Sequence, residues 1–189
     1  MSEQTVSPLA FPEPPLSDGV IMLRPWRREE DGVRYEAFTD PVIVETSWPW
    51  SEPPTPEKIA SAFDRHERDR LAGHELNLAI TDPDDAVLGS MCLYNLDRDH
   101  ATASIGYWLT RAARGHGYAT RALRLLGGWA MAELGLARLQ LTCDPRNEAS
   151  QRVAERCGFV REGLLRSQYA WKDGRRDTLV FSVLPGELV

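Results

Sequence analysis

The chain has 189 residues, 42% hydrophobic and 26% charged, which suits one domain with a full apolar core. Lys and Arg number 22 against 28 Asp and Glu, and the net charge of −6 without a basic run argues against nucleic acid as a partner. Cys92, Cys143 and Cys157 are widely spaced and His66, His74, His100 and His116 are scattered, so no metal is expected. No apolar run nears the roughly 18 residues of a membrane span and no signal-peptide core opens the chain, so the expectation is a cytoplasmic protein without a membrane partner.

Residues 1–18 carry four prolines and no periodicity and read as a flexible leader, ahead of a single domain over 19–189. Residues 20–26 (VIMLRPW) read as a first strand, with Pro25 near its end as an edge strand tolerates. A short helix is expected over 29–38. The stretch 47–56 (SWPWSEPPTP) is too rich in Trp and Pro for regular structure. Thr55 caps a second helix with Pro56 at its first position, running to about Ala72.

Residues 75–81 and 87–95 read as strands joined by a hairpin-like connection (DPDDA), and 101–109 as another strand. From about 117 to 134, Ala119, Leu123, Leu126, Ala130 and Leu134 recur at helical spacing. Gly127 and Gly128 inside that helix each cost about 1 kcal/mol relative to Ala, which close packing is expected to offset. A strand over 139–143, a helix over 148–156 stopped by Gly158, an extended segment over 159–171 and a last strand over 177–184 follow. The order gives an α+β fold with about seven strands and about four helices.

The segment 105–120, IGYWLTRAARGHGYAT, runs from a strand through a turn with Gly115 and Gly117 into a helix. Glycines there let backbone N–H groups approach a ligand, and the helix N-terminus adds about half a positive charge, a combination suited to phosphate. On the glycines alone, a tight turn without a ligand is an equal alternative. A Walker loop needs Gly-Lys-Ser/Thr, but Tyr118 and Ala119 follow Gly117; a dinucleotide fingerprint needs a third glycine where Thr120 stands.

Arg114, Gly117 and Ala119 match Arg/Gln-x-x-Gly-x-Gly/Ala, and around them stand Gly106-Tyr107-Trp108-Leu109, residues 144–150 (DPRNEAS), Gly158-Phe159, residues 162–166 (EGLLR) and residues 182–185 (SVLP). In these features the sequence resembles the GNAT N-acetyltransferase superfamily, in its ribosomal-protein-alanine (RimJ/RimL-like) branch. The resemblance is strong over 101–185 and compatible over 20–100. It implies a strongly twisted, mostly antiparallel sheet with two splayed parallel strands, ending at Leu109 and Cys143, and acetyl-CoA threaded between them. It further implies cofactor contacts from the backbone of Trp108 and Leu109, and from Arg114, Gly115, His116, Gly117, Tyr118, Ala119 and Thr120 around the pyrophosphate. Asn147 would bond the pantetheine arm and Ser150 would also reach the cofactor and protonate the departing thiolate; capping of the next helix is the plain alternative for both.

The implied activity is acetyl transfer to a primary amine, a peptide N-terminus or a small molecule, with Leu109 N–H as the oxyanion contact. Glu162, Asp144, His116 and a water held by Tyr169 are the candidate bases, each with an alternative reading as a structural polar residue. Cys143 and Cys157 read as core packing. Trp48, Trp50, Tyr94 and Tyr169 are candidate walls of the acceptor pocket, with loop packing as the alternative for the two tryptophans. A non-catalytic acyl-CoA-binding sensor or scaffold is the competing function, a nucleotide-dependent oxidoreductase a weaker one, and a homodimer is compatible with the resemblance.

Overall fold

A computed structural model describes residues 7–47 and 52–189. One eight-stranded sheet runs in the order β1-β2-β3-β4-β5-β6-β8-β7. The strands are β1 (Leu16–Ser17), β2 (Met22–Pro25), β3 (Leu76–Thr81), β4 (Val87–Asp97), β5 (Thr102–Leu109), β6 (Arg138–Cys143), β7 (Val160–Trp171) and β8 (Gly174–Val183). All neighbours are antiparallel except β5 and β6. The α-helices among the described residues are α1 (Asp31–Thr39), α2 (Pro41–Ser47), α3 (Pro56–Leu71), α4 (Tyr118–Glu133) and α5 (Glu148–Arg156).

Side chains alternate along each strand, and that alternation sorts the core. Leu78, Ile80, Met91, Leu93, Ala103, Ile105, Leu139, Leu141 and Phe181 face one way and are at most 3% exposed. They meet Ala122, Leu123, Leu126 and Ala130 of α4, the helical stripe seen in the sequence. On the other face, α1 brings Phe38 edge-on to Trp108, while Trp26 stacks on Trp108 and donates its Nε1–H to Ser90 Oγ at 3.2 Å. Gly127 lies so close to Leu188 and Leu139 that a Cβ would stand 3.3–3.4 Å from them, so close packing accounts for this helical glycine.

Thr55 caps α3 through its side chain, which accepts from the Lys58 N–H at 3.3 Å. The connection at Asp82 closes as a hairpin, with Ala86 N–H donating to Asp82 Oδ1 at 2.8 Å. Two expectations change. Residues 7–18, read as a leader, pack on the domain: Leu9 is 1% exposed, its carbonyl accepts from Arg70, and β1 is the eighth strand. Single apolar residues between prolines anchor this segment, so it leaves no periodic trace. The fifth helix, α2, was not foreseen; Asp40 starts it by accepting the Val42 N–H at 2.9 Å. Trp48 and Trp50 lie outside the described residues.

Candidate active site

β5 and β6 pair only at Thr102↔Arg138, Ala103↔Leu139 and Ser104↔Gln140. Each strand continues, held by its other neighbour: β4 accompanies β5 to Leu109, and β8 accompanies β6 to Cys143. The two strands therefore part, and a cleft of about 400 Å³ opens between their ends. Thr110 N–H donates to Leu88 on the β4 side, and Ala101 C=O accepts from Ala137 on the β6 side. Backbone groups alternate direction along a strand, so those of Tyr107 and Leu109 turn toward the cleft and those of Trp108 turn toward β4. Of the two backbone contacts expected here, Leu109 faces the gap and Trp108 is committed to the sheet.

The cleft runs to the start of α4. Gly115 and Gly117 have φ of 82° and 80°, the left-handed region that favours glycine, and Gly117 is the N-cap. Arg121 N–H is the first to bond back, to Gly117 C=O at 3.2 Å. The N–H groups of Tyr118, Ala119 and Thr120 thus precede the helical ladder, and no side chain caps them. Three bare amides and the helix dipole converge on one spot of the cleft wall, a fit to a diphosphate. Arg152 and Arg156 of α5 line the same cleft, a pair the sequence reading missed. His116 is exposed, stacks on Tyr118 at 5.5 Å and stays off the cleft wall.

At the other wall, Asn147 caps α5 by accepting the Ser150 N–H at 3.0 Å, which leaves its side-chain nitrogen for the cleft. Tyr107 O–H donates to Ser150 Oγ at 3.2 Å. Burial pushes the Tyr107 hydroxyl up to about 12, so it holds its proton at neutral pH. Tyr107 carried no role in the sequence reading; its position two residues before Leu109, on the same strand edge, was the available signal. Cys143 is buried, as expected of a packing residue, yet it also lines the cleft, and burial raises its thiol to about 11.

A roof of Val42, Ile43 and Thr46 from α2 covers the cleft. Glu45 ties α2 to Arg176 at 2.7 Å and to Arg146 at 3.3 Å.

Other candidates fall outside this arrangement. Glu162 binds Arg138 at 2.5 Å and accepts from Ser182 Oγ at 2.6 Å, and these partners hold its carboxyl down at about 2. It is too weak a base and does not line the cleft, which corrects its candidacy. Asp144 does line the cleft, but Arg146 at 2.8 Å holds its carboxyl below the usual range. Tyr94 lies across Gly106, its ring 3.3 Å from where a Cβ on that residue would stand, so it packs on the sheet where β5 and β6 begin to part. Tyr169 is 45% exposed on β7, paired with Arg176.

On the opposite sheet face, Trp108 also lines a second pocket of about 380 Å³ under α1 and α3, with Arg34, Phe38, Arg65, His66 and Ser90. None of these residues had a place in the expected acceptor site; Trp108 was expected only as a backbone contact to the coenzyme.

A family profile for the acetyltransferase (GNAT) domain matches residues 21–160. The chain is 36% identical over 123 residues to a Bacillus subtilis protein named probable N-acetyltransferase YjcK, across 62% of this chain and 66% of that one. It is 29% identical over 99 residues to the ribosomal-protein-serine acetyltransferase of Escherichia coli, across 52% and 55%. The match thus spans less than two thirds of these relatives' length. The fold is similar to that of Mycobacterium smegmatis RimJ in complex with CoA-disulfide, with a TM-score of 0.82 and 26% identity over 92% of this chain and 87% of that one.

Proposed function

The chain belongs to the acetyltransferase (GNAT) family, and from that premise we propose that it transfers an acetyl group from acetyl-coenzyme A to a primary amine, on a peptide or protein N-terminus or on a small molecule. The observation that carries the reading is the parting of β5 from β6 beside the bare amides of α4. An unpaired strand edge suits the amide-bearing arm of the coenzyme, and the helix start suits its diphosphate.

When bound, acetyl-coenzyme A supplies an activated thioester. The N–H groups of Tyr118, Ala119 and Thr120 hold the diphosphate, and Arg152 and Arg156 add positive charge at the rim. Asn147 and the Tyr107 backbone align the arm, and alignment alone removes up to about 7–11 kcal/mol of barrier. Leu109 N–H meets the negative charge that develops on the acetyl oxygen. Tyr107, hydrogen-bonded to Ser150, keeps a proton ready for the departing sulfur. No protein nucleophile is required, and Cys143 stays a thiol at neutral pH. An α-amine, with pKa about 7.7–8.0, is partly neutral near pH 7.5, whereas a lysine-like amine near 10.4 needs about 4 kcal/mol of help.

The test is thiol release from acetyl-coenzyme A against a panel of peptides and small amines. Turnover with at least one amine is expected. Tight coenzyme binding by calorimetry with silence across the panel favours the sensor or scaffold alternative.

A further inference from the structure

The pocket behind β5 has a chemistry of its own. Trp108 lines both this pocket and the coenzyme cleft, so the two approach the same strand from opposite faces. Its charged lining comes from Arg34, Lys58 and Arg65, and among the described residues no carboxylate lines it. The chain as a whole carries a net charge of −6, so this concentration of cations is local.

Arg34 is the sharpest sign. It is 5% exposed, and its Nη1 makes no hydrogen bond. The nearest acid, Asp31 Oδ1, stands 3.6 Å away and has no hydrogen-bond partner either. Arg34 Nη2 lies 3.5 Å from His66 Nδ1 and the guanidinium sits over the Trp26 ring at 4.2 Å, so Nη1 is the one buried nitrogen of this group left without a hydrogen bond, a place an incoming anion can fill. Arg65 is exposed at the rim, with Nη2 3.3 Å from His66 Nε2. Burial, with Arg34 and Arg65 adding to it, pushes His66 down to about 4, so its ring is a neutral neighbour. Lys58, also exposed, pairs with Glu52 at 2.6 Å.

Resting on the acetyltransferase reading, we propose that this pocket seats the acceptor by an acidic group. The substrate class is a primary amine with a carboxylate close by, as in the N-terminus of an acidic peptide or an acidic amino acid. A polyamine would bring its ammonium groups against Arg34 and Arg65 with no carboxylate on the wall to receive them.

The experiment uses the full chain loaded with coenzyme A and three amidated tetrapeptides, Ala-Glu-Glu-Ala, Ala-Gln-Gln-Ala and Ala-Lys-Lys-Ala, titrated by calorimetry. The glutamate peptide is expected to bind about tenfold tighter than the glutamine peptide, with the lysine peptide weakest and the preference shrinking in salt. Arg65→Gln combined with Lys58→Gln, both on the exposed rim, should cut the preference severalfold, leaving what Arg34 contributes, with coenzyme affinity unchanged. Equal or tighter binding of the lysine peptide overturns the proposal, as does a preference undiminished in the double variant. Free glutamate set against glutamine separates the sources: a gain there assigns a small acceptor, and a gain confined to peptides assigns a chain terminus. Thiol release is then followed with the same compounds on acetyl-coenzyme A. Charge-selective binding without release would remove the catalytic reading and leave the acid-binding pocket standing.

Discussion

Arg114 Nη2 stands 3.0 Å from Asp40 Oδ1, and the same guanidinium donates to the carbonyl of Leu109 at 3.2 and 3.3 Å. One side chain thus joins the start of the α2 roof, the glycine loop and the end of β5. Burial opposes charge on Asp40, but the Arg114 and Val42 hydrogen bonds outweigh it and hold the carboxyl below its usual range. The motif arginine therefore acts through its side chain as a clasp. Arg114→Ala should weaken coenzyme binding about tenfold, read by calorimetry, and lower stability by about 1–2 kcal/mol. Arg114→Lys should restore only part, since an ammonium cannot span both acceptors as a planar fork does. Full recovery by Lys would leave charge as the sole requirement.

Gly117 tests the anion site without confusing it with crowding. A Cβ there meets nothing within 4 Å, so only the φ of 80° opposes a side chain. Gly117→Ala should cost about 1 kcal/mol of stability and little affinity. Gly117→Glu carries the same strain plus a carboxylate beside the amides of α4, and should raise the coenzyme Kd by about tenfold or more. Equal affinities for the two variants would put the diphosphate elsewhere.

The cofactor side was legible because local signals specify it. The stripe of α4, the two glycines before it and the Asn147 cap all lie within one turn of the groups they position. The parting of β5 from β6 came only through family resemblance, because nothing in either strand's own pattern forbids continued pairing. The proposed acceptor side is assembled over long distances. Arg34, Arg65 and Ser90 sit on α1, α3 and β4, and each alone reads as an ordinary surface or strand residue. Glu162 misled for the converse reason: a carboxylate in a recognisable motif looks chemical until Arg138 and Ser182 are seen on it.

Tyr107 and Ser150 should separate rate from binding. Both lie in the cleft and share one hydrogen bond in which Tyr107 is the donor, and in the proposed mechanism the Tyr107 hydroxyl, rather than the Ser150 hydroxyl expected from the sequence, is the proton source. Tyr107→Phe keeps the ring that packs on the core and should lower kcat by about 10²-fold, the lower end of the range for a lost acid. Ser150→Ala should lower kcat less and leave the coenzyme Kd within about threefold, because the Asn147 cap uses the Ser150 backbone. Steady-state kinetics beside calorimetry reads both. An unchanged kcat in Tyr107→Phe would take the hydroxyl out of the chemistry.

Gly89 controls where the end of β5 lies. A Cβ on it would stand 2.2 Å from the Trp108 carbonyl oxygen and 2.9 Å from Leu109 Cα, both backbone atoms. β4 and β5 would have to separate at the point where Leu109 N–H is aimed into the cleft. Gly89→Ala is therefore expected to cost about 2–4 kcal/mol and to lower kcat in the fraction that stays folded. Thermal melting and turnover per folded molecule test this. A melting temperature within error of the parent would mean that the two strands have slack here.

Glu162 gives a stability signature with a defined sign. Its carboxyl titrates at about 2 in the folded chain against an ordinary 4.5, first through Arg138 and then through Ser182. A lowered folded pKa stabilises the fold fully above about 4.5, and that contribution fades as pH falls toward about 2, where the folded state protonates as well. Glu162→Gln removes the charge at every pH. The parent should therefore lose melting temperature more steeply than the variant between pH 4.5 and 2, and the two curves should run parallel from pH 5 to 8. Because the carboxylate stands off the cleft and is committed to Arg138, kcat near pH 7.5 should be unaffected in the same variant. A large loss of turnover, with melting curves parallel throughout, would return Glu162 to the list of bases and remove it from the fold's acid response.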